Sequence, residues 1–153
     1  MLLQLYFFYF LLPMALPFAM SEYACILLAL CVSASAYISE IIRAGIQAVD
    51  RGQMEAARSL GLSSAQAMVH VVLPQAVKNI LPALGSEFVA VIKETSLAST
   101  FFIGDLMTQY KTISAAIYRN LEPLVIVGMI YFFLSFTLSR GIAALERRLR
   151  AHG

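Results

Sequence analysis

Three stretches without a single charged residue limit what this chain can become: Met1 to Ser21, Tyr23 to Ser39 and Pro123 to Ser139. A bilayer core needs about 20 predominantly apolar residues in helical form, and these runs are close to that length. A fourth run, Val77 to Ser99, is also apolar but carries Lys78, Glu87, Lys93 and Glu94. The chain is 60% hydrophobic and 13% charged, with a mean hydropathy of +0.79. A soluble domain carries about 25% charged residues, so the composition points to an all-α integral membrane protein.

Four spans are expected. The first covers about Leu2 to Met20 and is distorted by Pro13 and Pro17. It lacks the basic start and small-residue cleavage site of a signal peptide. The second runs from about Tyr23 to Val49, longer than a bilayer needs, so its last turns with Glu40 and Arg43 should protrude and pair there. The third runs from near Pro74 to about Ala98, bent by Pro82 and Gly85. The fourth covers about Leu121 to Ala144. The aromatic set Tyr6 to Phe10 reads as lipid-facing or interfacial packing.

Other chemistries find little support. A net charge of +2 suggests no nucleic-acid partner. Cys25 and Cys31, six apart in one predicted helix, fit neither a disulfide there nor a metal site and read as core residues. With His70 and His152 the only histidines, histidine-based metal chemistry is not expected. An integral-membrane enzyme is disfavoured because no nucleophile–base or metal-ligand set stands at motif spacing.

Between the second and third spans lies a polar, small-residue segment of helical character, about residues 50–73. Asp50 is a plausible N-cap with Gln53 as its reciprocal partner. A short helix then runs from Arg51 or Gly52 to Leu60. Gly61 can take the left-handed conformation that ends it, with Leu62 folding back onto Ala57 or Ala56. Ser63 and Gln66 form a second capping box, opening a helix through Val72 that Pro74 ends or kinks. A helix–turn–helix of this kind, between two membrane anchors, suits docking and force transmission. Locally, Glu55 and Arg58 could instead pair at i,i+3, and Gly61 could be an ordinary cap.

Lys/Arg placement orients the chain. Arg43, Arg51, Arg58 and Lys78 flank the loop and Arg140, Arg147, Arg148 and Arg150 fill the tail, whereas the segment between spans three and four has Lys111 and Arg119. Excess basic residues mark the cytoplasmic side. The loop and the C-terminus are therefore expected in the cytoplasm.

Ionisable residues inside a span usually face a cavity or a partner. Glu87 is the leading candidate to receive an ammonium group of a substrate, with Ser86 and Gly85 lining the same opening; the alternative is a structural hydrogen bond to a neighbouring helix. Lys93 and Glu94 lie farther out, with Thr95 and Ser96 bonding within the bundle.

The motif string Tyr37-x-x-Glu40-x-x-Arg43-Ala44-Gly45-Ile46-Gln47, then Gly52-Gln53-x-Glu55-Ala56-Ala57-Arg58-x-Leu60-Gly61-Leu62, resembles the permease subunits of polar amino-acid ABC importers of the histidine/glutamine/arginine type. Leu73-Pro74-Gln75-Ala76 and Lys93-Glu94-Thr95-Ser96-Leu97-Ala98-Ser99 continue the likeness, with Val71 in place of the more usual Ile. It covers almost the whole chain and weakens between Phe101 and Glu122. The resemblance implies a type I importer permease: one transmembrane domain, residues 1–153, in a bacterial inner membrane, with 50–73 as a cytoplasmic coupling loop.

In that family Glu55, Ala56, Ala57, Gly61, Leu73 and Pro74 belong to the segment that seats in an ABC ATPase subunit. The implied partners are those ATPases, which bind the ATP and Mg, a second permease (identical or sister), an extracytoplasmic amino-acid-binding protein, and membrane lipid. The chain itself has no GxxxxGK[ST] phosphate loop and is expected to hold no cofactor. Members of the family have five spans, so this chain reads as starting partway into the second, a domain partial at its N-terminus. The alternative function is a truncated, non-transporting subunit that binds the ATPase or a sister permease.

Overall fold

A computed structural model describes residues 1–16 and 20–151, with side chains through Arg147. Pro17 and His152 lie outside the described residues, as do the side chains of Arg148 and Arg150. The described residues are helical with no strand: α1 Leu2–Ala15, α2 Glu22–Gln47, α3 Arg51–Ser59, α4 Ser64–Phe101, α5 Leu106–Ile117 and α6 Leu121–Ala151. Three helices are long and apolar enough to cross a membrane, namely α2, α4 and Leu121–Arg147 within α6; α1 is a shorter apolar helix. The all-α membrane fold read from the charge-free runs is the one found.

Two prolines alter their helices in the same way. Pro13 follows a π turn over Phe7–Leu11, and Pro74 follows one over Met68–Val72. Proline has no N–H and its ring collides with the carbonyl four residues back. A wider turn relieves that collision, and the Leu73 N–H reaches Met68 O, five residues back. Of the two outcomes expected at Pro74, an end or a kink, the helix end does not occur. Helix α4 runs through it unbroken, and through Pro82 and Gly85 as well.

The chain divides into two compact units. In the unit formed by Met1–Ser35 and Val89–Leu138, Leu5, Ile26, Ala29, Ala98 and Ile103 form a buried core. Gln4 Nε2 donates to Ala29 O at 3.2 Å. The ring of Phe101 lies 4.9 Å from Tyr6 and 4.6 Å from Tyr9, so part of the N-terminal aromatic set packs internally, while Phe7 and Phe10 are exposed. Cys25 is buried, Cys31 exposed, and both are free.

The same unit contains a helix that the sequence reading did not include. A 3-10 turn over Thr95–Phe101 ends at Phe102 in the left-handed region (φ 53°). Asp105 then caps α5, its Oδ1 accepting from the Thr108 amide at 2.8 Å. Lys111 Nζ donates back to Ser99 O at 2.9 Å, tying α5 to the 3-10 turn.

The second unit, Ala36–Phe88 with Ser139–Gly153, has its core at Val49, Val72, Ala76 and Ile80, with Ile46, Met54 and Met68 packed against it. Two glycines permit close approach here. A Cβ on Gly45 would overlap the Ile80 side chain, and one on Gly85 would lie 2.5 Å from Ile142 Cγ2.

Candidate functional site

The loop between α2 and α4 is held by caps at every end. Asp50 Oδ1 accepts from the Gly52 amide at 2.7 Å. The expected reciprocal bond from Gln53 is not made. The Gln53 side-chain oxygen instead faces Gln75 Nε2 at 3.4 Å, a contact across 22 residues that local sequence cannot show. Gln75 Nε2 also donates to Val71 O at 3.0 Å, beside the π turn.

At the other end of α3, Gly61 has φ +92°. Its amide donates to Arg58 O at 3.0 Å and the Leu62 amide donates to Ala57 O at 3.3 Å. These two bonds satisfy carbonyls that a helix end leaves unpaired, and they form a Schellman motif. Two residues on, Ser63 and Gln66 close a complete capping box: Ser63 Oγ accepts from the Gln66 amide at 3.3 Å, and Gln66 Oε1 accepts from the Ser63 amide at 3.0 Å. Both caps were legible in the sequence.

Helix α3 has two distinct faces. Ala57 is buried and Met54 packs on the core, whereas Glu55, Ala56 and Arg58 face outward. The i,i+3 ion pairs that close are Arg43–Glu40, as expected, and Arg119–Glu122; Glu55–Arg58 is not among them. Leu60 is 85% exposed, one turn beyond Ala56 on the same face. It was not among the candidate residues, although its i+4 spacing from Ala56 was readable. Leu73 is half-buried and Pro74 exposed on the first turn after the π segment. Beside the loop a cleft of about 420 Å³ is lined by Ile46, Val49, Asp50, Arg51, Met54 and Met68, among others.

Glu87, Ser86 and Gly85 are not brought to one opening. Successive helical residues turn by about 100°, so Gly85 and Glu87 lie on nearly opposite faces of α4. Gly85 faces Ile142. Ser86 is exposed and its Oγ donates to Pro82 O at 3.2 Å. Glu87 is half-buried, and the described residues give its carboxylate no hydrogen-bond or ionic partner. Thr95 and Ser96 bond to their own helix, at Ile92 O and Lys93 O. No group of three or more His, Cys, Asp or Glu side chains converges among the described residues.

The sequence of residues 2–151 matches the family described as binding-protein-dependent transport system inner membrane component. The chain belongs to that family. It is 41% identical over 152 residues to the arginine transport system permease protein ArtQ of Bacillus subtilis (strain 168), covering 99% of this chain and 69% of that protein. It is 43% identical over 128 residues to the nopaline transport system permease protein NocM of Agrobacterium fabrum, covering 84% of this chain and 53% of that one.

A chain in a crystal structure of an amino acid ABC transporter with histidines superposes with a TM-score of 0.90. It is 46% identical and covers 96% of this chain and 68% of that chain. The family member described here thus spans between about half and two thirds of these relatives' lengths. Membership in the family and the apolar helices make it a multi-pass inner-membrane protein.

Proposed function

We propose that this permease is the membrane-spanning subunit of an ATP-driven amino-acid importer, and that α3 is the piece through which an ATPase moves it. The observation that carries this reading is the double cap at Gly61 to Gln66. With Asp50 and a Schellman motif closing the two ends of α3, and a capping box opening α4 directly after it, neither helix frays at the junction, so a push on α3 is passed on rather than absorbed. Glu55, Ala56 and Leu60 give the partner a carboxylate, a small-residue approach and an apolar contact on one exposed surface. Met54 and Ala57 anchor the opposite surface to the core.

The cytoplasm is the side favoured by basic residues at Arg43, Arg51 and Arg58 near the loop and at Arg140 and Arg147 near the C-terminus. A crossing by α4 and a return by α6 would bring both regions to one side, in keeping with that charge distribution. ATP and Mg then bind the partner ATPase, a second permease completes the pathway, and a binding protein outside delivers the amino acid. The names of ArtQ and of the solved amino acid transporter support an amino-acid cargo. Glu87, half-buried within a span, is the side chain of this chain best suited to meet an ammonium group.

Co-purification tests the reading. The chain with its cognate ATPase should form a complex that survives washing, and Glu55→Arg with Leu60→Asp should release the ATPase while leaving helical content unchanged. Retention of the ATPase by that double variant would remove α3 from the interface.

A further inference from the structure

The hairpin of α5 and α6 forms an open groove of about 320 Å³ with apolar walls, and the Arg119–Glu122 ion pair stands at the rim of one end. Ile113 and Ile117 of α5 and Ile126, Val127 and Ile130 of α6 line it, and Glu122 closes the end nearest the turn. Arg119 Nη1 lies 3.0 Å from Glu122 Oε1, and both side chains remain more than half exposed. From Glu122 to Ile130 the groove follows α6 for about 12 Å at 1.5 Å per residue.

That end is the first turn of the apolar helix Leu121–Arg147, directly before the charge-free run Pro123 to Ser139. Beyond it the outward side chains of α6 are apolar, among them Val125, Met129, Phe132 and Phe133. The groove is therefore charged at the bilayer boundary and apolar toward the bilayer interior, which is the polarity of a lipid standing in its leaflet. An apolar cavity of this kind does not hold water well.

The headgroup is chosen by charge. Arg119 uses part of a guanidinium that has five N–H donors, and the Glu122 carboxylate keeps acceptor sites beyond the one Arg119 occupies. One cation beside one anion complements a zwitterion whose phosphate accepts hydrogen bonds and whose ammonium donates them. An anionic headgroup would meet Glu122, and a quaternary ammonium has no N–H to give it.

We propose that the groove between α5 and α6 binds a bilayer phospholipid with an ethanolamine headgroup, its acyl chain over Ile113, Ile126 and Ile130 and its phosphate and ammonium at Arg119 and Glu122. Native mass spectrometry of the full chain in detergent tests this, with phosphatidylethanolamine, phosphatidylcholine and phosphatidylglycerol of the same acyl composition titrated separately.

The ethanolamine lipid should bind tightest. Arg119→Ala and Glu122→Gln should each weaken it about ten-fold, the loss expected for one charge-assisted hydrogen bond. Ile126→Trp, which fills the groove, should abolish it. Equal binding of the three lipids, binding that survives Ile126→Trp, or a dimer in place of the lipid adduct would overturn the proposal. Photo-crosslinking of unmodified chain with an acyl-tagged ethanolamine lipid supplies a readout independent of how the variants fold. Adducts on α5 and the first turns of α6 support the site, and adducts confined elsewhere contradict it.

Discussion

The Leu62 amide donates to Ala57 O at 3.3 Å across Gly61, which stands at φ +92°. A single residue in the left-handed region thus reverses the chain between α3 and the capping box that starts α4. A Cβ at Gly61 would meet nothing within 4 Å, so the requirement there is conformational and not one of space. Gly61→Ala should cost about 1–2 kcal/mol through the left-handed backbone alone. Amide hydrogen exchange checks this: the Gly61 and Leu62 amides should lose protection while those of the Val49 core do not, and Gly61→Asn should lose less.

Ser63 is the second fixed point. Its hydroxyl accepts from the Gln66 amide, and Ser63→Ala removes that acceptor. Loss of an N-cap costs about 1 kcal/mol. Faster exchange at the Gln66 amide, with little change in the melting temperature of the whole chain, is the expected pattern.

Gly85 should behave differently because its constraint is steric. An added methyl would sit 2.5 Å from Ile142 Cγ2, and crowding of that sort costs about 1–3 kcal/mol. Gly85→Ala should lower the melting temperature in detergent, and Ile142→Ala in the same chain should restore most of the loss. Additive losses in a double-mutant cycle would mean that the two residues do not touch.

Glu87→Gln keeps the shape and removes the charge. If the carboxylate holds an ammonium group in the pathway, reconstituted uptake should fall about ten-fold, as one lost charged hydrogen bond implies, with assembly intact. Unchanged uptake would remove Glu87 from the pathway.

Features set by nearby residues were readable from the sequence, and those set by distant contacts were not. The charge-free runs gave the apolar helices, and Ser63 with Gln66 gave a capping box that the structure contains. Asp50 is a readable cap and accepts from the Gly52 amide, but the reciprocal bond from the Gln53 side chain is missing, because that side chain faces Gln75, 22 residues away. Pro74 in the sequence leaves an end and a kink both open, because the π turn over Met68–Val72 that lets the helix continue has no sequence signature of its own. Helix α5 has a legible start signal in Asp105 before an apolar row at Leu106, Tyr110, Ile113 and Ile117, but its length falls short of the span pattern that marks the other apolar helices. The adjacency of Gly85 and Glu87 in sequence does not reveal that Gly85 faces Ile142, a contact far along the chain.

The most direct measurement is thiol labelling at α3. In a Cys25→Ala, Cys31→Ser background, Arg58→Cys, at an exposed position of α3, is treated with a membrane-impermeant maleimide in inside-out and in right-side-out vesicles, with and without the ATPase. A cytoplasmic docking helix requires labelling of inside-out vesicles alone, suppressed when the ATPase is bound. Labelling of right-side-out vesicles would place α3 on the wrong face of the membrane and contradict its role in coupling.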